Sequence, residues 1–472
     1  DWSYYTTAQD GCYGRRIFWP RGKMVGGSGA MNAMIYIRGL PSDFDTWERL
    51  GCTGWGWKDV RPDFIATEAN QNHTDSEHHG TGGLLHVEHP TYTHPYEKAW
   101  IDAGVAAGYP ANPDFNGASQ AGFGYFQLLV KDGARAGTSR TFLDPVLTRP
   151  NLTLKTGLLI TRIIVENGRA KGVEYLERGH LKQAFADSEV VISAGAIGSP
   201  QLMLLSGLGP ADELRAVGID PVADIPEMGK NLQDHINVAF TAYTKEAVGI
   251  GAWDDQFLSD TLEEWHATKT GPRTTPWVAA GAHVPSRPGI DPDLQLYGAV
   301  TPHRDYGRFH SARSGMAFHT TLQRPESRGE ITLRSNDPIQ YPDIDPRYFS
   351  SDPSGQDLAT LIAGIKIQRR VLASEPLAGL LDGEMSPLAE CQTDAEIEAY
   401  IRGHCMTLYH PASTCRMGTD DSAVVSSDTL ALNGVEGLYV ADASVIPRMI
   451  SGNINATTVL IAERAARSIL GG

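Results

Sequence analysis

Residues 189–200 read EVVISAGAIGSP, a short apolar run that leads into small residues. The valine and isoleucine residues favour a buried β-strand that ends at Gly195. A helix is then expected to open at Ser199-Pro200, because proline suits the first turn of a helix. A strand, small residues and a helix N-terminus in this order can face a phosphate or a ribose. The stretch therefore predicts an α/β protein, although the same spacing is often purely structural.

The flanking sequence supplies further elements. Residues 152–176 alternate as two strands joined by an Asn-Gly hairpin turn. Residues 238–345 mix short β-rich runs with Pro and Asp turns, which predicts an antiparallel sheet. Apolar residues at helical spacing predict a helix over 356–373. The chain closes with a predicted strand at 437–442 and a helix from about 456 to 470. Because the two kinds of element alternate along the chain, we expect two interleaved domains.

Composition excludes several classes of protein. A chain of 472 residues suits two domains, and its net charge of −16 argues against a nucleic-acid surface. No apolar run reaches the ~18 residues of a membrane span, so no transmembrane segment is predicted. The five cysteines are irregularly spaced, which favours reduced thiols in a cytoplasmic protein. His404 and Cys405 have no CxxC partner, so no metal site is predicted.

The stretch from Asp59 to about Pro95 is polar and rich in turn residues, which predicts a surface loop or lid. The candidate functional residues lie in other stretches. Residues 22–32 read GKMVGGSGAMN, and consecutive glycines let backbone N–H groups approach a ligand closely. A glycine-rich turn without a ligand is the alternative interpretation. Near the C-terminus, residues 409–411 read YHP and residues 452–456 read GNINA, two polar clusters that precede the last predicted helix.

These stretches together resemble the glucose-methanol-choline (GMC) oxidoreductase family, in its bacterial choline-dehydrogenase-like and alcohol-dehydrogenase-like branch. Further matches are WPRGK at 19–23, GKNLQDH at 229–235 and RPESRG at 324–329. The resemblance implies an α/β fold (α+β overall), in which a Rossmann-like FAD-binding domain interleaves with a substrate domain built on an antiparallel sheet backed by helices. The expected boundaries are 1–45, 150–237 and 401–472 for the FAD-binding domain, and 46–149 and 238–400 for the lid and substrate-binding domain.

The same resemblance implies roles for individual residues. His410 matches the catalytic histidine and Asn453 matches its His-or-Asn partner. Members with covalent FAD carry a histidine where this chain has Met31, so non-covalent FAD is expected. The residues implied in cofactor binding are Gly26, Gly27 and Asn32 at the isoalloxazine, Asp442 and Ala443 at the ribityl chain, Asn455 at the pyrimidine edge, and Ala194, Gly195 and the strand around Leu159 at the adenosine.

One departure from the family affects the expected cofactor. The chain contains no Gly-x-Gly-x-x-Gly turn, which in the family opens the first βαβ unit and holds the pyrophosphate. The FAD-binding domain is therefore expected to be incomplete, with that unit absent. We expect the segment to exist as a separate or cleaved chain, or to be left out of this sequence, and FAD to bind when an N-terminal fragment or a partner chain supplies it. Loss of the segment with a change of function, and support by a different partner, remain alternatives.

Two enzymatic hypotheses follow from the resemblance. The first is FAD-dependent oxidation of a small-molecule alcohol to an aldehyde or ketone, by an oxidase or dehydrogenase, with His410 as base and hydride passing to flavin N5. The second is a lyase or hydrolase that uses the same His/Asn pair without flavin, or with flavin in a structural role. A non-catalytic binding protein is the least favoured reading, because the catalytic stretches are intact.

Overall fold

A computed structural model describes residues 1–249, 253–302, 306 and 313–471 of the chain. Helices and strands are both present in these residues, as the α/β expectation requires. Nine α-helices lie in the described residues: α1 (Pro41–Arg49), α2 (Trp57–Thr67), α3 (Pro95–Ala106), α4 (Gly195–Leu205), α5 (Ala211–Ala216), α6 (Asp255–Thr268), α7 (Gln356–Leu372), α8 (Asp394–His404) and α9 (Asn455–Leu470).

Most strands are short, and a few longer ones carry the fold. In chain order the strands of the described residues are β1 (Tyr4–Tyr5), β2 (Phe18–Trp19), β3 (Ile35–Tyr36), β4 (Glu68–Asn70), β5 (Leu85–Val87), β6 (Gly122–Tyr125), β7 (Gln127–Leu128), β8 (Val130–Lys131), β9 (Ala134–Arg135), β10 (Leu159–Glu166), β11 (Arg169–Glu177), β12 (His180–Phe185), β13 (Val190–Ile192), β14 (Leu208–Gly209), β15 (Ala223–Asp224), β16 (Ile236–Thr244), β17 (Ala280–Val284), β18 (Leu294–Ala299), β19 (Gly315–Leu322), β20 (Glu330–Thr332), β21 (Asp343–Asp345), β22 (Leu381–Glu384), β23 (Met406–Thr407), β24 (Met417–Gly418), β25 (Val425–Ser426) and β26 (Leu438–Val440).

The largest sheet confirms the antiparallel prediction for residues 238–345. Its strands follow the order β22-β16-β19-β18-β17-β6, and β23 pairs with the start of β16. All the pairs along this order are antiparallel. Because the side chains of a strand alternate between the two faces of its sheet, one register assigns each residue to a face.

The two faces of this sheet differ in chemistry. Even-numbered residues pack into a hydrophobic core with α3 and α7; they include Val238, Phe240, Leu294, Leu296 and Phe318. Odd-numbered residues are paired across β16, β19 and β18 and form a polar face; they include Asn237, Gln295, Tyr297, His319 and Thr321. The sequence alternation therefore gives one face to the core and leaves the other to form a site.

Helix α7, predicted over 356–373, covers the apolar face and confirms that prediction. It approaches β19 so closely that a Cβ atom on Gly364 would lie 2.4 Å from Thr320 Cγ2. The Gln368 amide donates to the carbonyl of His319 at 3.0 Å and accepts from Trp100 Nε1 at 3.2 Å. These contacts hold β19, and with it the polar face, against a rigid helical layer.

A second core surrounds the stretch at 189–200. β13 and β26 pair in parallel, with Val191 opposite Tyr439. Both predicted strands are thereby confirmed, and α4 and α9 pack in the same buried cluster. The interleaving of the two cores along the chain agrees with the predicted architecture, whereas the bounds of the five domain segments stay a prediction.

The structure corrects the start of the helix after β13. The helix was expected to open at Ser199-Pro200, but α4 begins at Gly195 and contains Pro200 in its interior. A proline inside a helix cannot donate to the carbonyl four residues earlier. Here that carbonyl belongs to Ala196, and it accepts from Thr414 Oγ1 at 2.7 Å instead. A side chain 218 residues away therefore replaces the missing helical bond and permits the earlier start.

The stretch from Asp59 to Pro95 was predicted as loop or lid, and this prediction is wrong at both ends. Residues 57–67 form α2, and β4 pairs with β5 in parallel. Val60 and Phe64 of α2 are buried in the second core, so tertiary packing outweighs the polar local sequence.

The hairpin predicted at 152–176 is confirmed. Its first strand starts later than predicted, at Leu159, and a third strand, β12, pairs with β11.

We expect Thr414→Val to lower the free energy of unfolding by about 1–3 kcal/mol, because the buried Ala196 carbonyl loses its donor. In a Pro200→Ala background the residue 200 N–H can donate to that carbonyl, so the same substitution should cost less. Urea unfolding of the four variants of this double-mutant cycle measures the difference. Equal losses in both backgrounds would contradict the account of how α4 tolerates its proline.

Candidate active site

The carboxyl ends of the parallel strands β13 and β26 meet at one edge of their sheet. Ala194 and Gly195 follow one strand, and Asp442 and Ala443 follow the other. The Asp442 carboxylate accepts from Gly195 N at 2.9 Å and from Ser199 Oγ at 2.5 Å. Its second oxygen, Oδ1, accepts from Ser444 N at 2.8 Å. Asp442 thus ties the two strand ends together, the place where open α/β sheets bind their ligands.

The glycine-rich stretch forms a 3-10 helix at Gly27–Ala30 that faces the start of α9. A Cβ atom built on Gly29 would lie 3.6 Å from Asn455 Nδ2, so the two stretches are in contact. The Asn32 amide oxygen accepts from Met34 N at 2.9 Å and from Arg135 Nη1 at 2.5 Å. Its oxygen is thereby satisfied within the protein, and its orientation is fixed.

These surroundings fit a planar polar cofactor. Cβ atoms built on Gly27 or Gly195 would have no atom within 4 Å, so both glycines border open space. Met31 and Tyr409 are exposed to 43% and 38%. Glycine backbone beside open space, amide groups and partly exposed apolar side chains suit the binding of such a cofactor.

His410 is presented by a constrained backbone. Tyr409 has φ 67, in the left-handed region that residues with a Cβ rarely adopt, and such residues cluster at functional sites. The Tyr409 carbonyl accepts from Arg21 at 2.6 Å, and His410 N donates to Asp234 Oδ1 at 3.0 Å. Asp234 also accepts from the hydroxyl of Tyr348. Burial raises the pKa of Asp234 to about 6.

The imidazole of His410 contacts a second imidazole. His235 Nδ1 lies 2.8 Å from His410 Nδ1, and the two rings are nearly perpendicular. His235 Nε2 lies 3.1 Å from the carbonyl oxygen of Gln323 and 2.9 Å from that of Ile450. His235 is fully buried, and burial lowers its pKa to about 4. Every polar contact of this ring is therefore made inside the protein.

Asn453 faces the other nitrogen of His410. Its amide nitrogen Nδ2 lies 3.4 Å from His410 Nε2. Its oxygen accepts from Gln295 Nε2 at 3.0 Å, and Gln295 Oε1 in turn accepts from Gln323 Nε2 at 3.3 Å. Tyr297 lies beside the same amide, with its hydroxyl 3.3 Å from Asn453 Nδ2. This run of amides from the sheet directs the N–H groups of Asn453 toward His410.

The electrostatics keep His410 neutral. Burial, with further contributions from His235 and Arg21, lowers the pKa of His410 well below its ordinary value of 6.5. A neutral imidazole has one nitrogen free to accept a proton. The arrangement therefore presents a proton acceptor and an amide donor side by side, which suits a hydroxyl group that donates to one and accepts from the other.

The structure brings the sequence-predicted residues into three contacts: His410 with Asn453, Gly195 with Asp442, and the glycine-rich stretch with Asn455. Leu159 begins β10, and the role predicted for this strand stays a prediction. Sequence reasoning gave no role to three further polar residues at the site, namely His235, Gln295 and Arg135. His235 lies in the quoted GKNLQDH stretch, and this was a signal that could have singled it out.

No helix in the described residues is both long and apolar enough to cross a membrane.

Comparison with known proteins identifies two family matches. The N-terminal model described as GMC oxidoreductase matches residues 6–237, and the corresponding C-terminal model matches residues 325–462. Among curated proteins, the mitochondrial choline dehydrogenase of Mus musculus is 37% identical over 475 residues, covering 100% of this chain and 79% of that protein. The alcohol dehydrogenase (acceptor) of Pseudomonas putida is 39% identical over 476 residues, covering 100% of this chain and 85% of that protein.

Solved structures agree with these matches. Pyridoxine 4-oxidase from Mesorbium loti has a TM-score of 0.89 and 30% identity, covering 100% of this chain and 89% of that one. The formate oxidase of Aspergillus oryzae RIB40, studied for its FAD modification, has a TM-score of 0.92 and 26% identity, covering 100% of this chain and 88% of that one. The chain therefore belongs to the GMC oxidoreductase family, close to its choline and alcohol dehydrogenases.

Proposed function

We propose that this chain oxidises a small-molecule alcohol to an aldehyde or ketone, with FAD as the electron acceptor and His410 as the base. The observation that carries the proposal is the pairing of His410 Nε2 with Asn453 Nδ2, 3.4 Å apart beside the glycine-rich stretch. An alcohol oxygen beside this pair, within hydrogen-bond distance of both nitrogens, would donate its proton to the imidazole and accept a hydrogen bond from the amide. The pair would therefore recognise a hydroxyl group both as a hydrogen-bond donor and as a hydrogen-bond acceptor.

The residues of the chain manage the proton. His410 is neutral because burial and the neighbouring positive charge of Arg21 lower its pKa, so its ring can take up the hydroxyl proton as the alcohol reacts. Removing that proton increases the electron density on the oxygen and makes the carbon-bound hydrogen easier to transfer. Asn453 donates to the same oxygen and stabilises the negative charge that develops there.

FAD fits the surroundings, since Gly27 and Gly195 border open space, and its expected position follows the family resemblance. Gly26, Gly27 and Asn32 would hold the isoalloxazine, with Asn455 at its pyrimidine edge. Bound flavin would supply the acceptor for the two electrons and the hydrogen on the alcohol carbon. By the family resemblance, this chain has Met31 where members with covalent FAD carry the linking histidine, which supports non-covalent binding.

The strand ends would hold the remainder of the cofactor. Asp442 uses its carboxylate on Gly195, Ser199 and Ser444, so it would act mainly by fixing the backbone at which the ribityl chain and adenosine lie. Ala194, Gly195 and Ala443 supply that backbone without bulky side chains. The expectation that a further segment with the Gly-x-Gly-x-x-Gly turn is needed for FAD binding stays a prediction.

The relatives do not favour the lyase or hydrolase alternative. Those named above are dehydrogenases and oxidases. They also give no support to a separate partner fragment, and we do not propose one.

His410→Ala should lower kcat by about two to four orders of magnitude, because the reaction loses its general base. Steady-state reduction of an artificial electron acceptor by a panel of alcohols, with the FAD-loaded enzyme, measures the effect. His266→Ala, at an exposed histidine of α6, is the matched control and should retain full activity. A folded, FAD-loaded His410→Ala enzyme with near wild-type turnover would remove His410 from the mechanism.

Asn453→Asp should reduce turnover more than Asn453→Ala, because a carboxylate would repel the negative charge that develops on the alcohol oxygen. Asn453→His keeps an N–H donor and should retain more activity than either. Parallel kcat and KM measurements on the three variants give the order. If the Asp variant equals or exceeds the Ala variant, Asn453 does not stabilise that oxygen.

The pH dependence of kcat/KM should report the lowered pKa of His410. Because the base must be unprotonated, activity should fall only below pH 6.5 on the acidic side. Arg21→Gln removes a positive charge that lowers the pKa values of His410 and Asp234, so both should rise and the acidic limb should move to higher pH. Arg21→Lys keeps the charge and is the control. Coincident profiles for the two variants would contradict this assignment.

A further inference from the structure

The contacts of His235 determine which of its two ring nitrogens carries a hydrogen. Nε2 points at two carbonyl oxygens, of Gln323 and Ile450, and a carbonyl oxygen can only accept. An unprotonated Nε2 would place its lone pair against those of two buried oxygens. His235 Nε2 therefore carries a hydrogen, which it donates to both carbonyls.

The second nitrogen of His235 must then be bare in the neutral ring. A doubly protonated His235 would be a fully buried cation, and its hydrogen-bond partners are two neutral carbonyls and another imidazole. With Nδ1 bare, the 2.8 Å contact between the two Nδ1 atoms needs a hydrogen from His410. His410 therefore holds its single ring hydrogen on Nδ1, and its Nε2 is free.

We infer that His235 is a positioning residue that fixes the tautomer of His410, so that Nε2 faces Asn453 as the proton acceptor. The inference rests on the proposed role of His410 as base and adds the reason why the correct nitrogen is available. A neutral imidazole without such a partner distributes its hydrogen between both nitrogens, and the wrong tautomer has no lone pair toward the substrate.

His235 also ends the path of the proton. Once His410 has accepted a proton at Nε2, passing its Nδ1 hydrogen onward would make His235 a buried cation, since its Nε2 hydrogen has only carbonyls to go to. The charged groups near His410 are Asp234 at its backbone N–H and Arg21 at the preceding carbonyl. The proton taken from the alcohol thus stays on His410, and it is released from Nε2, on the side of the ring that faces the substrate.

The tautomer can be measured directly in the FAD-loaded wild-type enzyme labelled with ¹⁵N-histidine. The ring nitrogens of His410, identified by their loss in His410→Gln, should show a protonated Nδ1 and a bare Nε2 between pH 7 and 8. Those of His235, identified by their loss in His235→Gln, should show the reverse. A protonated Nε2 on neutral His410 would overturn the inference without the need for any active variant.

Kinetics supply the second test. His235→Leu should lower kcat at least about tenfold with a smaller change in KM. His235→Gln should recover most of that loss, because its amide oxygen can accept from Nδ1–H while its NH₂ donates to the carbonyls. If His235→Leu keeps the wild-type kcat and the wild-type ¹⁵N pattern, His235 does not position the base. Activity in His410→Gln would instead refute the proposed base itself, so the two failures are distinguishable.

Discussion

His235 occupies the point where the antiparallel sheet meets the C-terminal loops. Its Nε2 contacts the carbonyl of Gln323, just beyond β19, and that of Ile450, three residues before Asn453. Its Nδ1 contacts Nδ1 of His410. Because the ring is fully buried, these contacts replace all of its hydrogen bonds to water, and losing one would leave a buried polar group unpaired. His235 thereby links the segment that carries His410 to the segment that carries Asn453.

Two chains of hydrogen bonds end at the His410–Asn453 pair. One runs from the Gln323 and Ile450 carbonyls through His235 to His410 and ends in a lone pair. The other runs from the Gln323 amide through Gln295 to Asn453 and ends in N–H groups. An acceptor and a donor with fixed orientation form a preorganised site for a hydroxyl group, since neither must reorient as the oxygen gains charge. In the proposed mechanism, the buried polar face would serve both alcohol recognition and catalysis.

The sequence was sufficient for the main elements because residue type and apolar spacing reflect local structure. The short β-rich runs within 238–345 and the apolar residues at helical spacing over 356–373 each predicted the observed element. The prediction from sequence failed at α4, where the helix tolerates Pro200 because the Thr414 hydroxyl, remote in sequence, donates to the carbonyl of Ala196. It failed again at α2, whose polar sequence is held by packing of Val60 and Phe64.

The site was foreseeable to a similar extent. His410, Asn453 and the glycine-rich stretch are visible in the sequence through their family resemblance. Gln295 is not, because its importance arises from the register that aligns β18 with β19 and directs its side chain at Asn453. His235 was within a matching stretch, but only the two carbonyls around its Nε2 reveal what it does.

The most direct test of the proposed function is anaerobic titration of the FAD-loaded enzyme with an alcohol, followed by flavin absorbance and product analysis. The account predicts that the oxidised flavin bands bleach and that one aldehyde or ketone forms for each flavin reduced. An enzyme whose flavin spectrum stays unchanged while the alcohol is converted to another product would contradict it.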